Sequence, residues 1–102
     1  MSSRPPVATV REAYDRPEGA VLLDVREDDE WRAGHAPGAV HIPMQQVAAD
    51  TVPPGRPIYC ICRSGNRSGR VAEMLVAARI DAYNVAGGMV AWQGAGLPVI
   101  TS

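Results

Sequence analysis

The heptad Cys62-Arg63-Ser64-Gly65-Asn66-Arg67-Ser68 gathers one thiol, two guanidinium groups, two hydroxyls, an amide and a glycine in seven consecutive residues. The apolar run Ile58 to Cys62 precedes it. Val71, Leu75 and Ala78 come after it at the i, i+4, i+7 spacing of one helix face, with Met74 widening that face. The thiol therefore stands where a strand hands over to a helix. Successive backbone N–H groups in such a loop turn inward and form an anion-binding nest, and the helix N-terminus adds unpaired amides of the same sign. Arg63 and Arg67 add formal charge. All three effects favour a thiolate, whose pKa falls from about 8.5 by one to several units in such places. Gly65 lets the backbone turn, and Asn66 tolerates left-handed geometry and caps the helix after it. The same nest would hold a bound oxyanion or a second sulfur attached to Cys62.

Cys60 lies two residues earlier, on the same strand face but deeper, and is expected to pack in the core. A disulfide between residues so close along an extended strand would be strained. Asp24 sits in the otherwise apolar run Ala20 to Val25 and needs a partner there. Arg67, facing into the loop, is its expected partner, and Arg26 is expected to pair with Glu30 or to attract a donor. His35 and His41, taken with the two cysteines, match none of the common metal-site spacings, so no metal is expected. A backbone hydrogen bond is the expected role of His35, and packing that of Trp31 and Trp92.

The elements that must position these residues alternate along the chain. Residues 1–6 read as a flexible tail, and one domain covers 7–102. Thr9 and Glu12 form a T-x-x-E capping box for a short helix through Tyr14. Ala20 to Val25 does not alternate in polarity, as expected of a strand covered on both faces. Acidic residues then open a helix that Gly34 ends, GAVHIP makes a short strand, and MQQVAAD a short helix. DAYNV is the last strong strand, and MVAWQ a short helix after Gly87-Gly88. The expected fold is α/β: an open, mainly parallel sheet flanked by helices on both faces. Ligands bind such sheets outside the carboxyl ends of the strands. Asp24 to Arg26, Cys62 to Ser68 and Gly87-Gly88 all fall there.

With 102 residues, 46% hydrophobic and 21% charged, the chain has the composition of one globular domain. A net charge of −1 offers no global attraction to nucleic acid or membrane. No run approaches the roughly 20 apolar residues of a membrane span. The N-terminus has no signal-like apolar core, so a cytoplasmic protein is expected. Nothing in the sequence demands more than a monomer.

CRSGNRS in this strand–loop–helix setting resembles the active loop of the rhodanese family of sulfurtransferases. LLDVREDDEWRAGHAPGAVHIP is similar to that family's N-terminal signature and NVAGGMVAWQGAGLPV to its C-terminal one, so the resemblance runs from about Val7 to Val99. It implies that Cys62 attacks a donor such as thiosulfate, becomes a persulfide, and passes the sulfur to cyanide or a thiol without a cofactor. Arg63, Ser64, Gly65, Asn66, Arg67 and Ser68 would hold the donor, with Asp24 and Arg26 supporting the loop. Cysteine phosphatases use C-x5-R, whereas Cys62 to Arg67 is C-x4-R. The shorter loop favours sulfur over a phosphoryl group. Two alternatives share the site: a persulfide relay between proteins, and an idle binding or regulatory module.

Overall fold

The computed structural model describes residues 4–101. Five strands, β1 (Val7–Ala8), β2 (Val21–Asp24), β3 (Val40–His41), β4 (Ile58–Ile61) and β5 (Ala82–Val85), form one sheet in the order β1-β5-β4-β2-β3. Every pairing is parallel. The helices are α1 (Val10–Tyr14), α2 (Asp28–Ala33), α3 (Asn66–Ala77) and α4 (Gly88–Gly94), with a 3₁₀ turn at Met44–Gln46. The expected open α/β sheet is the one observed. Of the expected tail, residues 1–3 lie outside the described residues. Pro6 O accepts a hydrogen bond from Asn84 N at 2.9 Å, and the next two residues form the edge strand β1.

Alternation along the central strands divides the core. Leu23 of β2 and Ile58 and Cys60 of β4 pack with Cys62 against Val71, Ala72 and Leu75 of α3. Leu22, Tyr59 and Ile61 point the other way and meet Ala13 of α1 and Met89 and Trp92 of α4. Cys60 and Cys62 thus share a face, as their spacing requires. The α1 capping box is complete: Glu12 N–H donates to Thr9 Oγ1 at 3.0 Å, and Thr9 N–H to Glu12 Oε1 at 2.9 Å.

Two helix starts meet at the carboxyl edge of β4. α4 has no capping side chain. Its first amides take loop carbonyls instead, Met89 N–H donating to Cys62 O at 2.8 Å and Val90 N–H to Arg63 O at 3.0 Å. Gly88, at φ +54°, permits this approach, because a Cβ there would collide with the carbonyl oxygens of Cys62 and Arg63. Gly88→Ala is therefore expected to cost about 1–3 kcal/mol through forced backbone displacement. In a urea melt the midpoint falls at unchanged slope, and an unchanged midpoint would contradict the contact.

Candidate functional site

β4 delivers Cys62 to the floor of the loop, where the residue is only 1% exposed. Gly65, at φ +107°, reverses the chain and opens α3 without a capping side chain. The left-handed position falls to this glycine. Asn66 is instead the first helical residue, so the cap and left-handed turn expected of it are corrected. With no cap, the inward amides turn to sulfur. Gly65 N–H donates to Cys62 Sγ at 3.1 Å, and the buried Ser68 hydroxyl lies 3.2 Å from the same atom. The backbone N–H groups of Ser68 and Ser64 also face it.

Burial alone would push the Cys62 thiol up. The hydrogen bonds from the Ser68 side chain and from the Ser68, Gly65 and Ser64 amides outweigh it and hold the thiol below its ordinary value. Cys60 has no such donors. Burial, with a smaller contribution from Cys62, pushes it up to about 12. The two cysteines on one face differ in their surroundings because only one reaches the loop.

The expected Asp24–Arg67 pair does not form. Asp24, fully buried, takes three bonds from the Arg26 side chain, the shortest 2.8 Å from its terminal nitrogen, and a fourth from Arg26 N–H at 3.0 Å. The reason is strand alternation. Asp24 shares its parity with Leu22, on the sheet face opposite α3, while Arg26 two residues on can fold back onto it. Arg26 donates further to Gly34 O at 2.7 Å, and so fastens the segment after β2. Its expected pairing with Glu30 is likewise corrected.

Arg67 pairs with Glu30 of α2 through two parallel hydrogen bonds, of 2.6 and 2.9 Å. The Arg67 hydrogen bond is the main reason the Glu30 carboxyl is lowered to about 2, and Glu30 correspondingly raises Arg67. The guanidinium is thus committed to a carboxylate. Arg63 and Ser64 are exposed on the loop. A cavity of about 340 Å3 opens beside them, lined by Arg63, Arg26, Glu30, Met89, Val90 and Gln93. The histidines serve the backbone: His35 Nδ1 bonds Trp31 O and His41 Nε2 bonds Arg26 O, each at 2.8 Å, and both rings stack on Trp31. Trp92 lies in the core, as expected.

Glu30, expected as a partner of Arg26, instead anchors Arg67. One residue of the site was missed in the sequence: Asn84 of β5 accepts from the Ser68 hydroxyl at 2.7 Å and donates to Gly65 O at 3.1 Å. The signal for Asn84 was present, since it is polar within an otherwise apolar strand, as Asp24 is.

The family model for the Rhodanese-like domain matches residues 7–95. The chain belongs to that family. It is 39% identical over 89 residues to YtwF of Bacillus subtilis, described as a candidate sulfurtransferase, covering 85% of this chain and 86% of that one. It is 36% identical over 99 residues to the thiosulfate sulfurtransferase GlpE of Actinobacillus succinogenes, covering 92% and 89%. YrkF of B. subtilis, described as a candidate sulfur carrier protein, is 37% identical over 87 residues; the match covers 82% of this chain but only 47% of YrkF. A rhodanese-related protein of Thermoplasma volcanium superposes with a TM-score of 0.86 at 25% identity, covering 95% of this chain and 99% of that one. No helix among the described residues is long and apolar enough to cross a membrane.

Two measurements check the electrostatics. Ser68→Ala removes a hydroxyl donor from the sulfur, and the Cys62 thiolate, tracked by its ultraviolet absorbance in a Cys60→Ser background, is expected to titrate at higher pH than with Ser68 present. Glu30 has a lowered folded-state pKa, so its contribution is fully present above its ordinary value of 4.5 and is lost as pH falls toward about 2. Glu30→Gln should cost about 1 kcal/mol at pH 7 for this partly exposed pair. Thermal melts of the two proteins should converge as pH falls toward 2, and a constant gap would refute the pairing.

Proposed function

We propose that this chain is a sulfurtransferase in which Cys62 carries sulfane sulfur from an anionic donor such as thiosulfate to a thiophilic acceptor, cyanide or a thiol. The carrying observation is the contrast between the two cysteines. Cys62 Sγ lies 3.1 Å from the Gly65 amide and 3.2 Å from the Ser68 hydroxyl and is held below its ordinary pKa, while Cys60 is pushed up to about 12. Family membership, and likeness to a thiosulfate sulfurtransferase along most of both chains, support the reading.

The Cys62 thiolate attacks the outer sulfur of thiosulfate. A new S–S bond forms, the old one breaks, and its electron pair leaves on sulfite. Cys62 becomes a persulfide anion, so the negative charge moves one atom outward. The acceptor then attacks that outer sulfur; with cyanide, thiocyanate leaves and the Cys62 thiolate returns. Charge and atoms balance on cysteine, donor and acceptor alone, so neither half-reaction calls on a cofactor. Both pass through one covalent form, the pattern of ping-pong kinetics. The amides of Ser64, Gly65 and Ser68 hold the sulfur anion at each stage. Asn66 and Arg67 supply the first helical turn that aims the Ser68 amide. Arg63, exposed on the loop and lining the cavity, draws in the donor, while Arg26 lines the same cavity with its guanidinium held by Asp24 and Gly34 O. Asp24 works through Arg26, whose position it fixes.

A second reading, a persulfide relay between proteins, rests on the likeness to YrkF. Cys62 lies on the loop floor, so a protein donor would have to present its persulfide on an extended segment. Steady-state assays with thiosulfate and cyanide separate the two. The first reading predicts parallel double-reciprocal lines, no turnover in Cys62→Ser, and in Arg63→Ala a KM for thiosulfate raised about tenfold, as for loss of one charge-assisted contact. Slow thiosulfate turnover beside rapid uptake from a protein persulfide would favour the relay. No uptake from any donor would contradict both.

A further inference from the structure

Asn84 bridges two of the residues whose donors face the Cys62 sulfur. Its Nδ2 donates to Gly65 O at 3.1 Å, and its Oδ1 accepts from Ser68 Oγ at 2.7 Å. Gly65 N and Ser68 Oγ are the atoms at 3.1 and 3.2 Å from Sγ. The amide orientation is fixed by chemistry. A backbone carbonyl only accepts, so Nδ2 must face Gly65, and Oδ1 is left toward Ser68. Gly69 of α3 gives the amide room, since a Cβ there would lie 3.1 Å from Nδ2.

Ser68 has one hydroxyl proton and two acceptors for it. With Cys62 as a thiol, a single chain satisfies every group: S–H donates to Oγ, and O–H donates to Oδ1. With Cys62 as a thiolate, the hydroxyl can donate to sulfur only by leaving Oδ1 without its donor. The thiol proton departs to solvent and Ser68 keeps its own, so the serine only rotates about its Cβ–Oγ bond.

We propose that Asn84 is a positioning residue that competes with the Cys62 sulfur for the single proton of the Ser68 hydroxyl, and so restrains the loop from holding the thiolate as strongly as its other donors would. The proposal rests on Cys62 being the reactive thiol of the proposed function. The restraint has a chemical use, because a thiolate made too stable is a poorer nucleophile for the donor's sulfur. The charged and titratable groups around the site are Cys60 on β4, Arg63 on the loop, Arg67 on α3 with Glu30 of α2, Arg26 after β2, and Arg4, Arg70 and Glu73 around the cavity beside Asn84. α4 carries none.

The test is the pH dependence of iodoacetamide alkylation at Cys62, in a Cys60→Ser background. It needs no sulfur donor, so its outcome is independent of whether thiosulfate is the substrate. Asn84→Val suits a strand and removes the competing acceptor. Its profile midpoint is expected to move down by about half a unit, a roughly threefold change in the thiolate equilibrium. Asn84→Asp keeps an acceptor and adds negative charge, and its midpoint is expected to move up. In a Ser68→Ala background the Asn84→Val shift should vanish and the Asn84→Asp shift should shrink. An unchanged or raised midpoint in Asn84→Val, or a shift that persists without the Ser68 hydroxyl, would overturn the proposal. If Asn84→Val does not fold, Asn84→Asp decides: an upward shift that is smaller without Ser68 supports it, and any other result overturns it.

Discussion

The first amides of α3 have no side chain to cap them, and the rest of the site depends on that constraint. A helix start leaves donor N–H groups that must find acceptors. Here the left-handed Gly65 turns the chain so that its own amide and that of Ser68 face the Cys62 sulfur. The matching carbonyls of Cys62 and Arg63 turn outward and serve the equally uncapped start of α4. Two helices and one strand end thus exchange their unpaired groups across a few residues. Gly88 is what lets their backbones approach closely enough.

Magnitudes decide what stabilises the thiolate. One pKa unit corresponds to about 1.4 kcal/mol, and a hydrogen bond to a charged acceptor is worth about 1.5–3 kcal/mol. Two or three donors on one sulfur therefore suffice to offset its burial. Formal charge does less than the sequence suggests. Arg67 is bound to Glu30 and Arg26 to Asp24, which leaves Arg63 as the exposed guanidinium of the active loop. The loop's charges mainly fasten its scaffold, while neutral dipoles hold the anion. Dipoles fixed in advance suit the proposed transfer, in which negative charge moves by one sulfur atom rather than appearing or disappearing.

The fold was legible because its signals are local. Apolar runs at residues 20–25 and 58–62, the capping box at Thr9 and the i, i+4, i+7 face of α3 each marked an element that the structure contains. The loop and Cys62 were legible for the same reason, as the strand, the glycine and the helix adjoin in sequence. β1 was not, since its two residues carry no pattern and gain their strand form from β5. The ion pairs also escaped. Asp24 and Arg67 both needed partners, but which partner each could reach depended on the sheet face, and the parity of Asp24 with Leu22 excluded α3. Asn84 was hidden by distance along the chain: only the parallel register that sets it opposite Cys60 brings it under the loop.

The role proposed for Cys62 is to carry sulfur under the amides of Ser64, Gly65 and Ser68. Its most direct test is the intact mass of the purified protein after incubation with thiosulfate and removal of excess donor. The account predicts a gain of one sulfur atom that survives in Cys60→Ser, is absent in Cys62→Ser, and disappears on addition of cyanide. A sulfur retained in Cys62→Ser, or one that cyanide cannot remove, would contradict it.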